Sequence, residues 1–216
     1  MVRILILAVG IAMLPCWGCS KTGGSTKRDA VLAWVEKKPA VPDLEHAMRP
    51  DAYATYEQWF QAGRKIEGLE AELLGLYREE RGRVPTVVIC DALYEFGTAQ
   101  SIPVLTGIVR DPNEEFDARN QAILVLANIG DKSAVRPLCE FIVLGLPSDC
   151  RVAKYEFKRL KLAAIGALGV LGDPNALAYV DQAREQLALD EREREYLEES
   201  IASLRDWDNG SERRED

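Results

Sequence analysis

The sequence predicts an all-α fold, and within that class an α-solenoid of helix pairs with a helical cap at each end. Two observations support this prediction. A helix–turn–helix unit recurs along the chain, and apolar residues recur at offsets of three and four within every copy, which is the period of a helix with one buried face. No β-type alternation of apolar and polar residues accompanies the repeats.

The three copies align on their turn glycines, Gly97, Gly130 and Gly172. Apolar residues fill the same columns around each glycine, and the spacings of 33 and 42 residues between the glycines fit a repeat of paired helices. A plain helical bundle with accidental similarity is the alternative. The aligned columns are Ile89, Ala122 and Ala164; Ala92, Val125 and Ala167; Leu93, Leu126 and Leu168; Phe96, Ile129 and Leu171; Ile102, Val135 and Leu177; and Leu105, Leu138 and Val180.

The residues around each glycine predict how one helix ends and the next begins. A glycine at this place is expected to adopt the left-handed conformation that ends a helix. Asp131 and Asp173 follow as N-cap residues, and Pro174 suits a first helical position. The first copy lacks such an aspartate, and Ser101 is its candidate cap.

The segments 122–138 and 163–177 resemble HEAT repeats, most closely the short HEAT-like type found also in phycobilisome lyases. The resemblance covers about residues 84–186 and implies a solenoid that serves mainly as a binding scaffold. In such folds the second helix of each pair usually lines the concave surface. The polar residues that this implies for partner contact are Arg110, Arg136, Glu140 and Asp181.

The N-terminus has the pattern of a secretory signal at residues 1–19. Arg3 precedes an apolar run from Ile4 to Leu14, which is too short to span a bilayer as a mature helix. The run ends at Cys16 and Cys19 and resembles a bacterial lipoprotein signal, which implies lipid attachment, with palmitate, at Cys19. Simple cleavage and an uncleaved anchor are the alternatives.

The same resemblance predicts a location. Ser20 in place of aspartate implies, by analogy with enterobacterial sorting, a lipid-anchored protein of the cell envelope, at the outer membrane and facing the periplasm. The remaining chain divides into five segments. These are a flexible tether (20–27), a helical N-terminal cap or degenerate repeat (28–82), three repeats with an insert at about 145–157 (83–189), a C-terminal capping helix (190–207) and a disordered tail (208–216).

Composition argues against several function classes. The net charge of −8 opposes general nucleic-acid binding, which needs a basic surface. The single histidine, His46, lies outside the repeats, and no cluster typical of a metal or catalytic site is evident. We therefore expect no enzyme activity and no cofactor. Cys139 and Cys150 flank the insert, and a disulfide between them is possible in an oxidising periplasm.

One local feature departs from the acidic composition. Basic residues at offsets of three, four and three share a helix face if the insert is helical, which predicts a site for an acidic partner or an anionic lipid head group. A solvated face balanced by neighbouring acids is the alternative. The members of this basic stripe are Arg151, Lys154, Lys158 and Lys161.

The sequence thus predicts a non-catalytic scaffold that binds an unidentified envelope protein and reaches the membrane through its lipid anchor. Two alternatives remain. The likeness to lyase repeats would suit a protein that handles a chromophore or another small molecule, although a secretion signal counts against bilin attachment. The basic stripe would suit a module that docks on the membrane surface.

Overall fold

The computed structural model describes residues 26–39, 50–145 and 151–211. Over these ranges the chain forms ten α-helices and no β-strand, which confirms the all-α prediction. The helices are α1 (Lys27–Val35), α2 (Pro50–Gly63), α3 (Leu69–Glu79), α4 (Thr86–Phe96), α5 (Ile102–Arg110), α6 (Phe116–Ile129), α7 (Val135–Ile142), α8 (Arg151–Leu171), α9 (Leu177–Gln186) and α10 (Glu191–Ser211).

Several sequence predictions fall outside the described residues. These are the signal segment with Cys16 and Cys19, the tether up to residue 25, His46, Cys150 and residues 212–216. Among the described helices, none has the length and apolar character required to cross a membrane.

The helices form two layers. In the first layer α3, α4, α6, α8 and α10 pack one after another, and in the second layer α5, α7 and α9 do the same. Each second-layer helix also packs against the next first-layer helix along the chain: α5 on α6, α7 on α8 and α9 on α10. The pairs α4/α5, α6/α7 and α8/α9 are therefore successive units of one helical array, as the aligned glycines predict.

The core lies between the layers. Leu93, Leu126 and Leu168, which share one column of the repeat, are fully buried, as are Leu105 and Leu138 on the second helices. Burying a leucine side chain contributes about 1.5–3 kcal/mol to stability. The repeated apolar columns thus account for the packing of one unit against the next.

The turns follow the prediction in two pairs and depart from it in the first. Gly130 and Gly172 have φ of +70° and +62°, the left-handed conformation that glycine adopts without strain. Gly97 instead has φ −72° and ψ 142°, which is extended. A methyl group there would collide with the carbonyl oxygen of Leu93, so this glycine is required by close backbone approach rather than by a left-handed φ.

A short 3₁₀ turn precedes each second helix, and its cap comes from the residue after the glycine. Asp131 accepts a hydrogen bond from the Ser133 amide at 2.8 Å, and Asp173 one from the Asn175 amide at 3.0 Å. In the first pair Thr98 has this role.

Ser101, the expected cap of the first pair, is buried and donates to Glu70 of α3 at 2.5 Å. Glu70 also accepts the Thr98 amide at 2.8 Å. A carboxylate from the preceding helix therefore fixes the first turn, which the local sequence around Ser101 does not reveal.

Helices α1 and α2 are joined by a reciprocal tryptophan pair. The Trp34 indole donates to the Trp59 carbonyl at 2.8 Å, and the Trp59 indole donates to the Trp34 carbonyl at 2.9 Å. The rings stack at 4.1 Å and both are buried. The two tryptophans therefore form part of the core at the N-terminal end of the array.

Helix α10 packs against α8 and ends the first layer. Gly169 of α8 allows this approach, because a Cβ there would lie 3.4 Å from the Ser200 carbonyl oxygen, and Ser203 donates to the Gly169 carbonyl at 3.2 Å. The helix continues to Ser211, past the predicted end at residue 207. Residues 208–211 are therefore helical, because a polar sequence does not by itself interrupt backbone hydrogen bonding.

Candidate interaction surfaces

The second-layer face brings together three of the predicted contact residues. Arg110 of α5 donates to Glu140 of α7 at 2.6 Å and to the Pro137 carbonyl at 3.1 Å, while Arg136 donates to the same carboxylate at 3.0 Å. Asp181 is exposed on α9. The packing of α5 against α7 thus brings Arg110, Arg136 and Glu140 together across two neighbouring units and leaves Asp181 on the third.

The charges of this cluster satisfy one another. Hydrogen bonds from Arg110 and then from Arg136 hold the pKa of Glu140 below its usual range, so the carboxylate is ionised at neutral pH. Two guanidinium groups around one carboxylate leave a single net positive charge. A partner that bound here would have to compete with these internal ion pairs, which favours weak and polar contact over anchoring.

The predicted basic stripe does not form one surface. Lys154 is exposed, and Lys158 donates to Glu193 of α10 at 2.7 Å. Lys161 is fully buried. The side chain of Arg151 lies outside the described part of the structure, so three members of the stripe can be placed and they occupy three different environments.

The burial of Lys161 has a local cause. Its ammonium group donates to the Leu144 carbonyl, just beyond the end of α7, and lies 5.5 Å from the centre of the Phe157 ring. Burial lowers the pKa of this lysine. The spacing of the stripe correctly places the lysines along one helix, but only the packing of α7 against α8 decides that Lys161 points inward.

A groove crosses the exposed side of the first layer and was not predicted. It has a volume of about 310 Å³. Both tyrosines of its lining are among the large exposed apolar residues of the described chain, since Tyr155 is 57% and Tyr196 is 44% exposed. We call it the aromatic groove, and its lining includes Asn120 of α6, Tyr155, Arg159 and Ala163 of α8, and Glu193 and Tyr196 of α10.

Arg159 is the charged centre of the aromatic groove. Its guanidinium lies 5.0 Å from the ring centre of Phe116 and 5.8 Å from that of Tyr155. No carboxylate among the described residues pairs with it. The other charged lining residue, Glu193, is neutralised by Lys158, so the groove presents one cation held by two aromatic rings.

Sequence reasoning could have found part of this groove. Tyr155 and Arg159 are four residues apart on one helix, a spacing that places them on the same face. Tyr196 comes from a helix about forty residues later, and it reaches the groove only because its hydroxyl occupies the space above Gly166. That close approach of α10 to α8 carries no local sequence signal.

A second cavity, of about 350 Å³, lies where α4 and α6 begin. Two of its charged lining residues, Arg81 and Glu114, are internally satisfied, since Arg81 donates to Asp111 at 2.5 Å and to Glu114 at 2.7 Å, and Tyr77 donates to Glu114 at 3.1 Å. Burial, followed by the Glu114 charge, raises the pKa of Tyr77 to about 12. These contacts join α3 to the segment between α5 and α6 and stabilise the array.

The described cysteines are buried free thiols. Cys90 lies on α4, and Cys139 lies on α7. Cys90 donates weakly to the Ala118 carbonyl, with 3.8 Å between the sulfur and the oxygen. Within the described residues no group of histidine, cysteine and acidic side chains has an arrangement suited to a metal ion.

Comparison with known families supports the repeat assignment. Residues 118–143 match the family model described as PBS lyase HEAT-like repeat. The match covers α7 and most of α6, which is the central helix pair. No curated protein and no solved structure matches the chain. The predicted resemblance is therefore confirmed at the central pair, and the protein contains a HEAT-like repeat within an all-helical array.

Proposed function

We propose that this protein is a non-catalytic interaction scaffold of the bacterial cell envelope, held by lipid at Cys19 and directed toward a protein partner. One observation supports the scaffold part of this proposal. Successive helix pairs place side chains of neighbouring units beside one another, as Arg110 and Glu140 do across α5 and α7, and such arrays create extended binding surfaces. The family match at residues 118–143 supports the same function.

The envelope part of the proposal rests on the sequence of residues 1–20. Its test compares two cysteine variants of the full-length chain, Cys19→Ala and Cys16→Ala, by membrane fractionation and by labelling with radioactive palmitate. We expect the wild type and Cys16→Ala to be labelled and to remain with the envelope. Loss of label in Cys16→Ala alone, or equal labelling of both variants, would overturn the assignment of Cys19.

The partner is tested by crosslinking tagged full-length protein in its native envelope, followed by purification. We expect a protein in stoichiometric amount. A co-purifying chromophore or small molecule in place of a protein would contradict the scaffold and favour a ligand-handling protein. A charge-reversal variant of the whole basic stripe is unsuitable here, because Lys161 is buried and its reversal would disturb folding.

A further inference from the structure

We propose that the aromatic groove docks an acidic segment of a partner protein, with a carboxylate on Arg159 and an apolar side chain against Tyr155 and Tyr196. This inference rests on the proposed scaffold function and names the chemistry of the partner. It also moves the docking site from the second-layer helices, where the HEAT resemblance placed it, to the exposed side of the first layer.

The charge of the groove selects an anion. Arg159 has no carboxylate partner among the described residues, and Glu193 is held by Lys158 at 2.7 Å. The groove therefore presents a cation on a chain whose net charge is −8, which gives an acidic segment a local site of opposite charge.

The guanidinium already contacts two aromatic rings before binding. It lies between Phe116 at 5.0 Å and Tyr155 at 5.8 Å, and such contacts reduce the side-chain freedom that a partner would otherwise have to remove. A planar guanidinium with free N–H groups suits a carboxylate, which accepts two parallel hydrogen bonds.

The apolar part of the site selects a protein segment over a simple anion. Tyrosine and arginine are the residue types that dominate binding energy at protein interfaces, and here two half-exposed tyrosines flank one arginine. The groove of about 310 Å³ has room for a side chain of the partner. Helices α6, α8 and α10 form its walls, so the site is built on rigid elements rather than on loops.

The exposed tyrosines allow a matched test. A photo-crosslinking residue, p-benzoylphenylalanine, replaces Tyr155 in the first layer or, as the control, Tyr179 of α9 in the second layer, where the side chain is 39% exposed. Full-length protein is irradiated in its native envelope, and the crosslinked peptides are identified by mass spectrometry. We expect the Tyr155 position to link to a partner segment that contains aspartate or glutamate next to the linked residue.

The role of Arg159 is tested in the same background. We expect Arg159→Ala to lower the crosslinking yield at position 155 about tenfold, the ratio that corresponds to a loss of about 1.4 kcal/mol in binding. Arg136→Ala, which removes the same charge from the second layer, should leave the yield unchanged. A thermal melt by circular dichroism confirms that both variants remain folded.

The outcomes separate this inference from the scaffold function. Four results would overturn the groove as the docking site. Crosslinks could form only from position 179, or the yield at position 155 could be independent of Arg159. The crosslinked molecule could also be a lipid or a second copy of this chain. If the crosslinking of tagged full-length protein still captures a partner protein in those cases, the scaffold function is supported and only the groove is rejected. The scaffold function fails if neither position, nor general crosslinking, captures any protein.

Discussion

The two exposed faces of the array differ in how their charges are used. On the second-layer face Arg110 and Arg136 both bind Glu140, so the charges of this cluster are satisfied within the chain. On the first-layer face Arg159 contacts two aromatic rings and forms no ion pair with a described carboxylate. Polar residues on the second helices are therefore a poor guide to a binding site, because the packing of one unit on the next also brings them into contact with one another.

Helix α8 carries a buried lysine, Lys161, and an exposed lysine, Lys154, and we expect substitutions at the two positions to differ in their effect on stability. Lys161→Glu should lower the free energy of unfolding by about 3–5 kcal/mol, since it buries an uncompensated carboxylate beside the Leu144 carbonyl. Lys154→Glu, on exposed surface, should change it by less than about 0.5 kcal/mol. Urea denaturation measures both. Equal and small effects would mean that Lys161 is accessible to solvent and that the basic stripe is a surface feature.

The two layers can also be compared through their thiols. Burial, reinforced by Asp91, raises the pKa of Cys90 on α4 to about 12, and burial, reinforced by Asp173, raises that of Cys139 on α7 to about 11. Both lie above the ordinary thiol value of 9.0. Above pH 9 the unfolded chain therefore releases protons that the folded chain retains, and stability falls as the pH rises.

The measurement is the free energy of unfolding between pH 8 and 10.5, in reducing buffer, for wild type and Cys90→Ala. The wild type should lose stability more steeply, by a difference that approaches about 1.4 kcal/mol per pH unit. Other groups, such as Lys161 and Tyr77, cancel in this comparison. Parallel curves would show that the Cys90 thiol ionises as easily in the folded chain as in the unfolded one.

Two glycines, one in each layer, allow a test of whether Tyr196 belongs to the docking site in the groove. A Cβ on Gly107 of α5 would meet nothing, whereas a Cβ on Gly166 of α8 would overlap the Tyr196 hydroxyl. Gly107→Ala should stabilise the protein by about 0.5–1 kcal/mol through helix propensity. In Gly166→Ala the same gain is offset by displacement of Tyr196, so stability should change little while crosslinking at position 155 falls.

Thermal denaturation of the two glycine variants, together with the crosslinking yield of each, checks this expectation. Crosslinking that is retained in Gly166→Ala would remove Tyr196 from the docking site. Crosslinking that falls equally in Gly107→Ala would show that the measurement does not distinguish the two layers.

The smallest effects are expected on the second-layer face. Arg136 is 87% exposed, and its removal should cost less than about 0.5 kcal/mol. Arg110→Ala should cost slightly more, since this side chain joins α5 to α7 through two acceptors. Chemical denaturation of both variants tests this order. A larger loss in Arg136→Ala would indicate that Glu140 depends mainly on its neighbour within α7.

Much of the fold could be read from the sequence. Leu93, Leu126 and Leu168 recur at one offset from the turn glycines, and all three are buried. Gly130 and Gly172 adopt the left-handed conformation that their position at a helix end predicts. These features depend on helical periodicity and on local backbone sterics, which act over a few residues and are therefore visible in the sequence.

The rest depends on which surfaces meet, and only the tertiary structure decides that. Glu70 of α3 fixes the first turn and leaves Gly97 extended, the end of α7 draws Lys161 inward, and α10 brings Tyr196 over Gly166 to complete the aromatic groove. Each contact joins residues from different helices. Periodicity identified the buried columns of the repeats, and packing determined which charges on the remaining faces are available to a partner.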